Sequence, residues 1–166
     1  AGTTVTEAFT VRTTDGTNRS SQTLSINITG TNDTPVLTVP TGGAVAEAGT
    51  TTVSDTLSAT DIETGALTFS VIGQTANAGV YNVAGTYGSL ALNASTGAYT
   101  YTLDTSDADT VALTGADTVT EVFSLGVEDA AGGTATGSLS FSIAGSGITV
   151  TTLATDNIIN AAEDAA

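Results

Sequence analysis

Cysteine and histidine are both missing from this sequence. Without them no Ser–His or Cys–His nucleophile pair can be assembled. The usual zinc sites, which lean on the same two residue types, are excluded as well. No disulfide can staple the fold; the other common staple for a domain without one is a cation held by oxygen ligands. Basic residues are nearly absent: Arg12 and Arg19 stand against 17 acids, for a formal net charge of −15. That balance rules against nucleic acid as a partner, because a phosphate backbone demands a basic face. It rules against anionic membrane surfaces for the same reason. Nor is any apolar run long enough to insert into a bilayer. Aromatic residues make up only 5% of the chain.

What remains is a strand-forming composition. Of the 166 residues, 40% are hydrophobic, which is enough for a real core and argues against disorder. Thr and Val are abundant and stiff at χ1, which suits a pleated surface. The 19 glycines supply turns. No stretch carries a convincing helical period, with the short Ala/Glu/Asp-rich run Ile158 to Ala166 as the one exception. So many acids with so few bases repel one another unless cations gather them.

The chain also repeats itself. VTEAFTVRTTDGTNRSSQTLSINITG (5–30) resembles VTEVFSLGVEDAAGGTATGSLSFSIAG (119–145). Phe9 falls on Phe123 and Asp15 on Asp129; after one inserted residue, Leu24, Ile26, Ile28 and Gly30 fall on Leu139, Phe141, Ile143 and Gly145. The spacing of about 114 residues is that of one immunoglobulin-sized domain in a tandem array. Both copies alternate with period two, and each has a hairpin turn at its centre, Asp15-Gly16 in one and Asp129 to Gly133 in the other. Between them further short strands are expected at 56–60, 66–72, 80–83, 87–92 and through Tyr99 and Tyr101. Phe9, Phe69, Phe123 and Phe141 read as core by their alternation.

Boundaries follow from turn chemistry. Thr31 to Pro35 reads as a linker, since Pro ends a ladder and Asn-Asp is loop chemistry. Residues 36–145 then form one complete repeat, and 1–30 the last two strands of a preceding one. Residues 146–166 form a Gly-Ser-Gly linker and the opening of a following domain. The first residues are polar and uncharged, so no secretory leader is legible, and the stretch reads as cut from a longer protein.

Three blocks carry a family resemblance: Gly30-Thr31-Asn32-Asp33-Thr34-Pro35; Tyr87-Gly88-Ser89-Leu90-Ala91-Leu92 with Gly97 to Leu103; and Thr120-Glu121-Val122-Phe123. They resemble the VCBS and cadherin-like, immunoglobulin-like repeats of large RTX adhesins. The tail Asp156 to Glu163 is similar to the start of another such repeat; its linker, Gly-Ser-Gly, departs from the first. The resemblance implies an all-β Greek-key sandwich of about seven strands. It implies a calcium-stiffened stalk on the bacterial cell surface, exported by type I secretion and serving adhesion or biofilm formation. Its partners would be neighbouring repeats, with homotypic contacts between rods as a further expectation. No enzymatic activity is expected. Nothing singles out a carboxylate pair for glycoside hydrolysis, and the glycines form no phosphate-binding fingerprint.

By that topology two acidic groups gather at opposite ends. Asn32, Asp33, Asp61, Glu63 and Asp129 converge at the upper end, with Glu7 facing them from the preceding repeat; six or more oxygens suit Ca²⁺. Glu47, Asp104, Asp107, Asp109 and Glu121 fall at the lower end, with Asp117 nearby and Asp156 facing them from the next domain. The competing reading is that these are solvated loop carboxylates, since Asp and Asn favour turns for backbone reasons alone. Tyr81, Tyr87, Tyr99 and Tyr101 admit two readings as well, a sugar-stacking platform or core packing with hydroxyls at the rim, of which packing fits the alternation better.

Overall fold

The structure, a computed structural model, describes residues 2–63 and 65–147. The expected following domain, its Asp156 and the Ala/Glu/Asp-rich run at 158–166 lie outside the described residues.

The regular structure of the described chain is nearly all strand. It opens with a long hairpin, β1 (Thr4–Thr14) and β2 (Arg19–Thr29), closed by a turn at Asp15. The Asp15 carboxylate builds that turn by accepting from the backbone N–H of Thr17 at 2.9 Å and of Asn18 at 2.6 Å. Those bonds favour the ionised form and hold its pKa down at about 2. Gly16 follows at φ +96°, a conformation that disfavours any side chain. Among the described residues no hydrogen bond joins β1 or β2 to the rest of the chain. Phe9, expected in a core, is 47% exposed on this hairpin. The reason is that no second sheet covers the face it occupies.

The remaining strands form the sandwich. β3 (Val36–Thr38), β4 (Ala44–Ala46), β5 (Thr52–Thr56), β6 (Ser58–Thr60), β7 (Thr68–Val71), β8 (Val80–Ala84), β9 (Gly88–Asn93), β10 (Ala98–Leu103), β11 (Thr118–Glu128) and β12 (Thr134–Ala144) follow in chain order. One sheet runs β5-β10-β9-β8, the other β4-β12-β11-β7, and β3 pairs with β6. Strand β4 lies parallel to β12, whereas the other pairings are antiparallel. The core fills the space between the two sheets as period-two alternation requires. Leu90, Leu92, Tyr99, Tyr101 and Leu103 from one sheet face Phe123, Leu125, Val127, Leu139, Phe141 and Ile143 from the other. Tyr101 stacks on Phe141 with ring centroids 4.2 Å apart, and Tyr99 meets the same ring edge-on at 6.1 Å.

Three details differ from the sequence reading. The strand expected at 56–60 is broken at Leu57, which is 2% exposed and donates its N–H to the Gly97 carbonyl. That break lets one segment serve two pairings, β5 with β10 and β6 with β3. A short helix, α1 (Ala108–Val111), bridges β10 and β11, capped by Asp107, whose side chain accepts from the Asp109 N–H at 2.8 Å. One turn is too short to print a 3.6-residue period. Lastly, Tyr99 and Tyr101 are buried to their tips, not placed with hydroxyls at the rim.

Candidate functional site

The linker 31–35, the loop after β6 and the β11–β12 turn meet at one end of the sandwich. Asp129 opens the turn as Asp15 does in the first hairpin, accepting from the N–H of Ala131 and of Gly133, each at 2.8 Å. Asn32 crosses from the linker and donates its Nδ2 to Asp129 Oδ2 at 2.8 Å. This side-chain bond, more than the turn bonds, pulls the Asp129 carboxyl below its usual range. The Asp33 N–H donates to Glu63 at 3.1 Å. Asn32, Asp61, Glu63, Gly65 and Asp129 line one hollow of about 250 Å³. Gly133 packs against the Asn32–Asp129 pair, where a Cβ would press on the Asp129 carboxylate and come within 2.7 Å of Asn32 Nδ2.

Two carboxylates of this end are therefore engaged with backbone and amide donors. That of Asp61 is not: its Oδ1 is buried and has no hydrogen-bond partner among the described residues. A buried acceptor left so is costly and calls for a donor or a cation. An oxygen-rich hollow with an unsatisfied carboxylate oxygen fits a hard cation in its donor chemistry. Among the described residues, however, no three acidic side chains are drawn together around one point. Glu7 lies on the exposed hairpin, opposite Ile26 in register.

The acids expected at the other end are dispersed. Glu47 accepts from the Ser146 N–H at 3.0 Å, which ties the β4 loop to the second linker. Asp104 accepts from Ser106, Asp107 caps α1, and Asp117 accepts from the Thr114 N–H and hydroxyl, each at 2.7 Å. Those bonds lower the carboxyl pKa of Asp104 and of Asp117. Asp109 sits in the first turn of α1.

Glu121 is a correction. It does not join a surface cluster but points between the sheets, 7% exposed. Tyr101 donates its hydroxyl to Glu121 Oε2 at 2.6 Å, and the N–H groups of Thr86 and Tyr87 both donate to Oε1, the latter at 3.2 Å. Burial first, and then the carboxylate beside it, raise the Tyr101 phenol pKa. Gly85 is required here, since a Cβ would run into the Glu121 carboxylate. Alternation put residue 121 on the core face, but its charge drew the sequence reading to the surface. The signal that locates it is period-two parity with Phe123 and Leu125.

The tyrosines form no sugar platform. Two are fully buried, and Tyr81 and Tyr87 are half-buried against the core.

This chain belongs to the bacterial cadherin-like domain family, whose model matches residues 32–145. The matched span begins in the linker and ends one residue past β12. Cadherin-like domains are structural and adhesion modules, typical of extracellular chains. No curated protein matches the sequence. Among solved structures, the extracellular domain of protocadherin GammaB4 is similar, with TM-score 0.44 and 19% identity over 84% of this chain and 22% of that one. A protocadherin gammaB7 EC3-6 cis-dimer gives TM-score 0.44 and 16% identity over 84% and 32%. Drosophila N-cadherin EC1-4 gives TM-score 0.37 and 12% identity over 78% and 29%. The chain thus spans between 22% and 32% of the length of these structures. No described helix is long and apolar enough to cross a membrane.

Proposed function

We propose that this chain is an extender segment of a secreted bacterial surface adhesin, stiffened by calcium where repeats meet. The observation that carries the reading is the Asp61 carboxylate oxygen, buried without a partner among the described residues, in a hollow shared with Glu63, Asp129 and Asn32. It lies where the linker 31–35 enters the sandwich, which is where a junction ion must act. Asp61 would supply the first oxygen to Ca²⁺, and Glu63, Asp129, Asn32 and Asp33 would have to draw in around the ion from the separate positions they hold in this structure. A bound ion would offset the repulsion inherent in a net charge of −15 and fix the linker. In this reading 36–145 is the complete repeat, 1–30 closes a preceding one and 146–166 opens the next. The lower junction, with Glu47 facing the second linker, is the weaker candidate for an ion. Export by the type I route, an RTX-type parent protein and a role in biofilms extend the same reading.

Thermal unfolding followed by circular dichroism tests it. Calcium at millimolar concentration should raise the midpoint well above its value in EDTA, and sodium chloride of equal ionic strength should not. A midpoint that ignores calcium sinks the proposal and leaves the sandwich standing.

A further inference from the structure

The exposed hairpin and the buried one share a register. Val5 faces Ile28, Glu7 faces Ile26, and Phe9 faces Leu24; on the sandwich, Val119 faces Ile143, Glu121 faces Phe141, and Phe123 faces Leu139. The equivalent faces thus carry the same pattern, one covered by the sheet β5-β10-β9-β8 and one bare. On the bare face Val5, Val11, Leu24 and Ile28 are each more than half exposed.

Two of its residues have no use in their present surroundings. Glu7 occupies the place of Glu121, which on the sandwich is satisfied by a tyrosine hydroxyl and two backbone N–H groups. Gly30 occupies the place of Gly145, where a Cβ would lie 2.5 Å from Leu113 Cβ; among the described residues nothing but the Thr3 carbonyl, at 4.0 Å, comes near a Cβ at Gly30. A third residue departs from the pattern. Gln22 faces Val11 where Gly137 faces Leu125, and a Cβ at Gly137 would sit 2.8 Å from Val39 Cγ2.

We infer that the Thr4–Thr29 hairpin is a selective docking surface for the open sheet of a like repeat, with Glu7 as its lock and Gln22 as its discriminator. This rests on the tandem-repeat reading above. The partner must offer Glu7 a tyrosine hydroxyl and paired N–H groups like those of Tyr101, Thr86 and Tyr87. It must cross Gly30 closely, and it must leave room for Gln22 where this repeat has Val39. A generic apolar surface fails the first demand, because an unsatisfied buried carboxylate is costly. Two copies of the hairpin placed face to face fail it too, since they would bury two Glu7 charges together. This repeat's own sheet fails the last, which keeps neighbouring hairpins from exchanging places. An inward-facing charge is a known guard for strand surfaces that must not pair at random.

The test places a second copy of residues 31–114 directly before Ala1, so that the hairpin takes the position of β11–β12 on the added strands. Hydrogen exchange of the amides at 4–29 is the readout, with those at 118–144 reporting in the same molecule that the resident sandwich is folded. With Val39→Ala in the added copy, hairpin amides should be protected on the order of 100-fold over the chain without the addition. Val39 retained, or Glu7→Ala, should each remove most of that gain. Equal exchange with and without the added, Val39→Ala strands overturns the inference. So does protection that is indifferent to both Val39 and Glu7. All arms are run in EDTA and in calcium, so a failure here is separate from a failure of the calcium reading, which the unfolding midpoint reports.

Discussion

Across the sandwich, Tyr101 of β10 donates its hydroxyl to the Glu121 carboxylate of β11 at 2.6 Å. The bond links the two sheets beside the β8–β9 loop, whose Thr86 and Tyr87 N–H groups meet the same carboxylate. Tyr101→Phe removes the donor and leaves a buried carboxylate with only backbone partners, at a cost of about 1–3 kcal/mol. Glu121→Ala should cost more, because it orphans the hydroxyl and two N–H groups together. The double variant should fall short of the sum of the two, as groups in one network do. Urea unfolding midpoints of the four proteins check this.

Asp61→Ala separates the calcium reading from ordinary packing. In EDTA the variant should be as stable as the parent or slightly more so, since it removes a buried oxygen that has no partner among the described residues. In calcium it should lose most of the stabilisation that the parent gains. A loss of equal size in both conditions would make Asp61 a plain structural residue.

Gly145→Ala and Gly30→Ala form a matched pair. The first places a methyl 2.5 Å from the Thr114 carbonyl oxygen and should destabilise the sandwich by about 1–3 kcal/mol. The second meets nothing nearer than 4.0 Å and should leave the midpoint of the chain unchanged. Thermal scans of both variants read the difference.

Acid should weaken the upper end. The Asp129 carboxyl has its pKa lowered in the folded chain, first by Asn32 and then by the turn amides. The folded state therefore holds fewer protons than the unfolded one as pH falls through the carboxylate range near 4. Stability from this group is fully present above that range and is lost below it. Asn32→Ala should flatten that dependence, measured as the midpoint between neutral pH and the acid limb.

Much of the architecture was legible because period-two alternation is a direct imprint of a sheet with one covered face. Leu139, Phe141 and Ile143 are fully buried where the pattern put them. The internal copy at 5–30 was legible for the same reason, and its pairing is the one the alignment implies. What escaped was decided by tertiary contact. Leu57 breaks a strand because the core takes its side chain, which no local propensity records. The single turn of α1 is held by one cap and the buried Thr110, too little to print a period. Glu121 was misplaced because charge was weighed above parity. At the upper end, topology brought Asn32 to Asp129 and Asp33 to Glu63, and the turn bonds that engage Asp129 are those that an Asp opening an Asp-Ala-Ala-Gly-Gly turn makes.

Strand β4, near the start of the repeat, lies parallel to β12 at its end, with Ala44 opposite Ser142 and Ala46 opposite Ala144. A pull on the two ends of the repeat drags these strands past each other along their length. Their cross-links then bear the load together, instead of opening one at a time as in a hairpin peeled from its end. In the extender role proposed above, stretching the stalk would shear this pairing instead of peeling it.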